Sequence, residues 1–237
     1  MKYSLIIPCF NEAKNLELLF ERLKKFKDVS IEIEIIIVNN GSIDNSKKIL
    51  ENLVKNYQFV KIVNVKKNQG YGYGILSGLK SASGDVLGWT HADLQTDPLD
   101  VLTSIKFFEK SPYPEKIFVK GLRKGRSFTS VFFTVGMAFF EIILLNKIMW
   151  DINAQPTMFH RNFFETWTLP PKDFSLDLFA YYMAKKNKLI INRFNVYFGK
   201  RAYGVSHWNV GLASKYRFIK RTLTYSFSLK KRIKDNG

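Results

Sequence analysis

An α/β fold, a mostly parallel central sheet flanked by helices, is predicted by three observations. Apolar, strand-like runs alternate with helical patterns through about residue 120. These runs end in polar or glycine-rich residues that lead into a helix start. At 237 residues and 46% hydrophobic content, the chain can bury one sizeable core.

The elements follow in order. Ser4 to Cys9 reads as a strand that runs through Phe10-Asn11-Glu12 into a helix. Ile33 to Asn40 repeats the design, with Gly41-Ser42 as the turn and Asp44 opening the next helix. Asn68-Gln69-Gly70-Tyr71-Gly72-Tyr73-Gly74 supplies glycines where backbone turns tightly or approaches a ligand closely, and Ile75 to Ala82 reads as helix. Asp85 to Thr90 is a buried strand, and Pro98 fits the first turn of a helix, where a missing N–H costs nothing. On an extended exit loop, His91, Asp93 and Gln95 project to one side and converge on one cation. Hard oxygen ligands suit Mg²⁺ or Mn²⁺ carrying phosphates, and an imidazole tilts the choice toward Mn²⁺. The alternative for Asp93 is a helix cap or a solvated loop.

Past residue 120 the composition turns basic and aromatic. No linker or repeat interrupts the chain, so one domain over 1–237 is expected, in three stretches, 1–120, 121–215 and a basic tail at 216–237. The apolar stretch 128–150 is broken by Gly136 and Glu141 and preceded by Arg123, Lys124 and Arg126, which favours an amphipathic interfacial helix or helical pair over a membrane span; a core helix is the alternative. The segment 215–232 alternates basic with aromatic and aliphatic residues, as a helix lying on an anionic membrane does. Asp177 stands in an apolar helical run, where an unpaired charge is costly, and so faces a polar cavity. Cys9 is the only cysteine and belongs to an apolar strand, which points to packing and a reducing compartment. The first residues carry no secretory pattern, so a cytosolic location is expected. Lysine and arginine number 37 against 20 acidic residues, a formal charge of +17 that seeks anions without naming them.

Taken in order, Ile7-Pro8-Cys9-Phe10-Asn11-Glu12, Val38-Asn39-Asn40-Gly41-Ser42, the glycine loop, Ala92-Asp93-Leu94-Gln95, Gly121-Leu122-Arg123 and Arg201-Ala202-Tyr203-Gly204-Val205-Ser206 resemble family 2 glycosyltransferases of the GT-A fold. The sub-branch most similar is the polyprenyl-phosphate sugar synthases related to dolichol-phosphate mannose synthase. The resemblance implies that 1–120 is the nucleotide-sugar-binding half and 121–215 the acceptor-side half of a catalytic domain, and that Pro8, Phe10, Glu12, Asn39, Asn40, Asn68, Gly70 and Gly74 bind the nucleotide sugar. It further implies that Asp93 and Gln95 hold the metal, that Arg123 and Arg201 grip donor and lipid phosphates with Ser206 on the acceptor phosphate, and that Gln155 touches sugar or phosphate. Asp177 is either a base or acceptor-orienting group, or a partner of the sugar or of an arginine. His91 stands where relatives have Asp and is a metal ligand, a ribose contact or a polar loop residue. Asn39 and Asn40 also replace Asp, which changes what a base can be offered; a turn with Gly41 is the alternative. His207 replaces a common Lys, and Trp208 stacks on isoprene or lies in the core.

The expected activity is metal-dependent, inverting transfer of a hexose from a GDP- or UDP-sugar to a polyprenyl phosphate, by an enzyme held peripherally at the cytosolic membrane face. Transfer to a saccharide hydroxyl is the alternative within the class. A non-catalytic nucleotide-sugar or anion-binding module and a nucleic-acid binder are the alternatives outside it, the last resting on charge alone.

Overall fold

The computed structural model describes residues 1–126, 128–203 and 212–235, with side chains over 1–126, 134–203 and 220–232. The strands are β1 (Tyr3–Cys9), β2 (Ile33–Asn40), β3 (Val60–Val65), β4 (Val86–Trp89), β5 (Ile117–Lys124), β6 (Thr157–His160) and β7 (Ile190–Tyr197). They form one sheet in the order β3-β2-β1-β4-β6-β5-β7. Only β6 runs antiparallel, between β4 and β5. The helices are α1 (Leu16–Leu23), α2 (Ser46–Leu53), α3 (Tyr71–Ser81), α4 (Asp100–Glu109), α5 (Phe128–Leu145), α6 (Arg161–Glu165), α7 (Leu176–Lys186) and α8 (Leu212–Asp235). This is the mostly parallel α/β architecture that the sequence predicts.

Side-chain alternation divides the core between the two faces of the sheet. Leu5, Ile7, Ile35 and Ile37 pack with Leu16, Leu19, Phe20, Ile105 and Phe108 of α1 and α4 on one face. On the other, Ile6, Ile36, Val38, Trp89, Phe118 and Phe159 meet Ile75 and Leu79 of α3 and Phe179 of α7. Each such side chain contributes about 1.5–3 kcal/mol by leaving water. The amino edge is fixed by one carboxylate. Glu34 accepts from Ser4 Oγ (2.7 Å), Lys61 Nζ (2.7 Å) and Ser83 N (2.6 Å), tying β1, β2 and β3 to the turn before β4. Burial opposes its charge, but these donors prevail and hold the carboxyl down at about 2.

Three boundaries differ from expectation. Helix α3 begins at Tyr71, not Ile75, because Gly72 and Gly74 sit inside its first turn against neighbouring chain rather than in a loop. Helix α4 begins at Asp100: Asp97 accepts from Leu99 N (3.0 Å) through its side chain and from Asp100 N (3.0 Å) through its carbonyl, so Pro98 belongs to a turn ahead of the helix. Strand β4 is also shorter, ending at Trp89. The stretch 128–150 carries α5, which packs against α8 through a Glu141–Ser226 hydrogen bond (2.6 Å) and an edge-on Phe140–Phe227 contact. Among the described residues no helix is long and apolar enough to cross a membrane.

Candidate active site

The six strands other than β6 deliver their carboxyl ends to one side, and the order reverses between β1 and β4. Such a switch point opens a crevice where ligands bind in open α/β sheets.

At the end of β1 the chain turns through Asn11, whose φ is +56°. Its amide donates to Ser42 Oγ (3.1 Å) and its Oδ1 accepts from Ile43 N (2.9 Å), so the exits of β1 and β2 are clamped together. Pro8, Phe10 and Glu12 line this corner half-buried. Burial pushes the Glu12 carboxyl up, and nearby Asp93 adds to this, while Asn15 and Arg201 oppose it. Asn39 and Asn40 are both buried at the end of β2. Asn39 Nδ2 donates to Asn64 Oδ1 (2.9 Å) and its Oδ1 accepts from Ser42 N (3.2 Å); Asn40 Nδ2 donates to Gly70 O (2.9 Å). An aspartate offers no donor for the first and third of these bonds, so the two asparagines build the loops around the crevice. Asn68 Oδ1 accepts from Gly70 N (2.8 Å) and shapes the same loop.

The glycines meet the chain itself. A Cβ on Gly70 would lie 2.5 Å from Lys172 O, one on Gly72 2.6 Å from Asp173 O, and one on Gly74 2.9 Å from Asn40 Nδ2. The close approach expected of a ligand is made here by the 171–173 backbone and by Asn40.

The 91–97 loop departs from an extended chain. Leu94 has φ +57°, and Asp93 Oδ1 accepts from Gln95 N (3.1 Å), an Asx turn that removes simple alternation. Asp93 and Gln95 meet nevertheless, through Arg201. Its guanidinium lies 2.9 Å from Asp93 Oδ2 and donates to Gln95 Oε1 at 3.1 Å. Gln95 also exchanges bonds with Gly199, accepting from its amide (2.8 Å) and donating to its carbonyl (3.2 Å), which seats the 199–203 segment on the loop. His91 stacks on Tyr71 with ring centroids 5.4 Å apart, and Tyr71 stacks on Phe174 at 4.7 Å. Burial lowers the His91 pKa; Asp93 and Asp177 act against this, Arg201 and Arg123 with it. Four of the expected charged residues thus act on one imidazole.

Among the described residues, the cation paired with Asp177 is Lys120, not an arginine. Asp177 is buried on α7, accepts from Gln155 Nε2 (2.7 Å), and faces Lys120 Nζ at 3.4 Å. Strand β5 places that fully buried lysine opposite it. Gln155 is brought in by Gly121, whose missing side chain leaves room for the Gln155 carbonyl. Arg123 is engaged as well. Its backbone N and its Nε each donate to the Asp151 carboxylate at 2.8 Å, and Arg126 reaches the same group at 3.3 Å. Burial disfavours a charge on Asp151, but the arginines hold its pKa low. Arg123 and Arg126 thus meet on one carboxylate. Lys120, Asp151 and Tyr71 were missed as site residues; a lysine inside an apolar strand was the available signal for the first. Ser206, His207 and Trp208 lie outside the described residues.

The Asp93 and Gln95 oxygens already converge on a cationic group, so this donor set fits a hard divalent ion. Among the described residues no three His, Cys, Asp or Glu side chains form a metal nest, so further oxygens would come from ligand phosphates and water. Cys9 takes no part: it is buried, and its thiol is pushed up to about 12, chiefly by burial.

The family model for glycosyl transferase family 2 matches residues 4–166. The chain belongs to that family. It is 38% identical over 104 residues to an undecaprenyl-phosphate 4-deoxy-4-formamido-L-arabinose transferase of Proteus mirabilis, covering 42% of this chain and 31% of that protein. It is 38% identical over 98 residues to a dolichol-phosphate mannosyltransferase of Pyrococcus furiosus, covering 41% and 27%. The matches thus span about a third of those relatives' lengths. Glucosyl-3-phosphoglycerate synthase of Mycobacterium tuberculosis, solved with Mn²⁺, UDP-glucose and phosphoglyceric acid, superimposes with TM-score 0.73 at 14% identity, over 97% of this chain and 79% of that one. The fold is GT-A.

Proposed function

We propose that this chain catalyses metal-dependent, inverting transfer of a hexose from a GDP- or UDP-sugar to a polyprenyl phosphate, at a membrane surface. The observation that carries the reading is the convergence of Asp93 Oδ2 and Gln95 Oε1 on one cationic group at the switch point. Mg²⁺ or Mn²⁺ held there supplies charge neutralisation as the leaving diphosphate forms. Arg201, seated on those oxygens, has the rigid fork that would suit the donor phosphates were an ion held by Asp93 and Gln95. Pro8, Phe10, Glu12, Asn39, Asn40 and the Asn68, Gly70 and Gly74 loop form the nucleoside wall. Arg123, seated beside Asp151, supplies a rigid guanidinium fork for the acceptor phosphate. The names of the two curated relatives, both transferases linked to polyprenyl phosphates, support that acceptor. A lipid phosphate is ionised already and needs no base, which assigns Asp177, Gln155 and His91 to the sugar.

The membrane placement is supported by apolar surface on α5 and just beyond it: Phe139 and Ile143 are 64% and 67% exposed, and Ile148 is 75% exposed. Transfer to a saccharide hydroxyl is favoured by one observation: Asp177, beside Lys120, is a buried carboxylate suited to act as base. Incubation with radiolabelled UDP- and GDP-hexoses, Mn²⁺ or Mg²⁺, and either a short polyprenyl phosphate or an oligosaccharide decides between them. A chloroform-extractable, metal-dependent product supports the lipid acceptor; label in the oligosaccharide supports the second reading; no transfer to either refutes both.

A further inference from the structure

Among the described residues, Lys120 is the one lysine with a fully buried side chain, and it stands in the middle of β5 between Phe118 and Gly121. A buried ammonium is costly unless paired. Its partners are few and specific: Nζ donates to Thr157 Oγ1 at 2.7 Å and to Asp177 Oδ1 at 3.4 Å. Asp177 Oδ1 also accepts from Gln155 Nε2 at 2.7 Å, and the same amide nitrogen lies 3.3 Å from the Tyr71 hydroxyl. The opposite end of that amide, Gln155 Oε1, is buried with no hydrogen-bond partner among the described residues. Two donors therefore converge on one carboxylate oxygen, while a buried acceptor beside it has nothing to accept from. A packed apolar core would need none of these groups, since a hydrophobic residue replaces a buried pair at little cost.

We propose that Lys120 is a positioning residue: through its ion pair it holds Asp177 aimed, so that Asp177 and Gln155 together accept hydroxyls of the transferred sugar. This rests on the donor reading above. Lys120 itself touches no substrate; it acts through Asp177. Burial lowers the lysine's pKa to about 8, against the pull of Asp177 and with the push of Arg193, while Asp151 resists the shift. The other titratable groups facing the pair are Tyr71, whose hydroxyl pKa burial and Asp177 raise, and His91. Lys120 is therefore cationic at pH 7 and loses its charge as pH rises through about 8. The pairing is lost in that window.

Calorimetric titration separates the sugar's contribution from the nucleotide's. Wild type, Lys120→Met, Asp177→Asn and the double variant are titrated with UDP, GDP, UDP-glucose and GDP-mannose in Mn²⁺. The expected result is that Lys120→Met weakens nucleotide-sugar binding by roughly 10- to 100-fold, the worth of a hydrogen bond to a charged group, and leaves nucleoside diphosphate binding unchanged. The double variant loses no more than Lys120→Met, and wild type loses its preference for the sugar-bearing ligand between about pH 7 and 9. If Lys120→Met does not fold, the double variant, which buries no lone charge, carries the same comparison. Parallel losses for diphosphate and nucleotide sugar, or an unchanged sugar increment, overturn the role of Lys120 and leave the donor reading standing. Wild type that binds neither ligand overturns the donor reading itself.

Discussion

Asp93 and Arg201 hold the central contact at the residue scale. Asp93→Asn keeps an oxygen for Gln95 N but loses the charge that a diphosphate-bound ion needs. Transfer should fall by about 10²-fold or more, with less than about 1 kcal/mol lost in stability, since the partner Arg201 is part-exposed and can turn to water. Initial rates over a Mn²⁺ series, paired with thermal melts, measure both; full activity with Asn at position 93 would remove the metal from this loop. The substitution of Asp by His91, Asn39 and Asn40 relative to the family pattern was visible in the sequence. Its consequence was not. Asn39 and Asn40 work by donating to Asn64 and Gly70, partners 25 and 30 residues away that no local pattern connects.

The elements that shape the site are held by close backbone approaches and by two buried carboxylates. Gly121→Ala drives a methyl into the Gln155 carbonyl; it should cost about 1–3 kcal/mol and displace Gln155, lowering transfer more than stability accounts for. Rates measured well below the melting temperature test that separation. Glu34, held at about 2, contributes stability that is complete above its unfolded value of 4.5 and is lost as pH falls toward 2. Glu34→Gln should flatten the melting temperature between pH 5 and 2. Glu141 has the opposite sign. Burial raises it to about 7, so the native state holds an extra proton, and stability falls as pH rises from 4.5 through 7. Glu141→Gln should therefore gain melting temperature over wild type at pH 8 but not at pH 4, and a constant difference would contradict the pairing of α5 with α8. Strands β1, β2 and β4 were legible because each is a short apolar run closed by turn residues. The start of α3 was not, because glycines that disfavour a helix in isolation are required there by the 171–173 backbone.

At the scale of the whole molecule, the +17 charge and the exposed Phe139, Ile143 and Ile148 predict binding to vesicles rich in anionic lipid. Sedimentation with such vesicles should weaken as salt rises, and Phe139→Glu with Ile143→Glu should weaken it further at any salt. Binding indifferent to both would detach the enzyme from the membrane. The order of motifs along the chain made the crevice legible from sequence, whereas the Lys120–Asp177 pair depends on α7 folding over β5 and could only be seen in three dimensions.

The central claim is that Asp93 shares a divalent ion with the diphosphate of a sugar nucleotide. Crystals grown with Mn²⁺ and UDP or GDP test it directly through the anomalous signal of the metal. The expected result is a peak beside the Asp93 carboxylate and the bound diphosphate, with Arg201 moved off Asp93. A nucleotide bound elsewhere, or the Arg201–Asp93 ion pair intact beside a bound diphosphate, would contradict it.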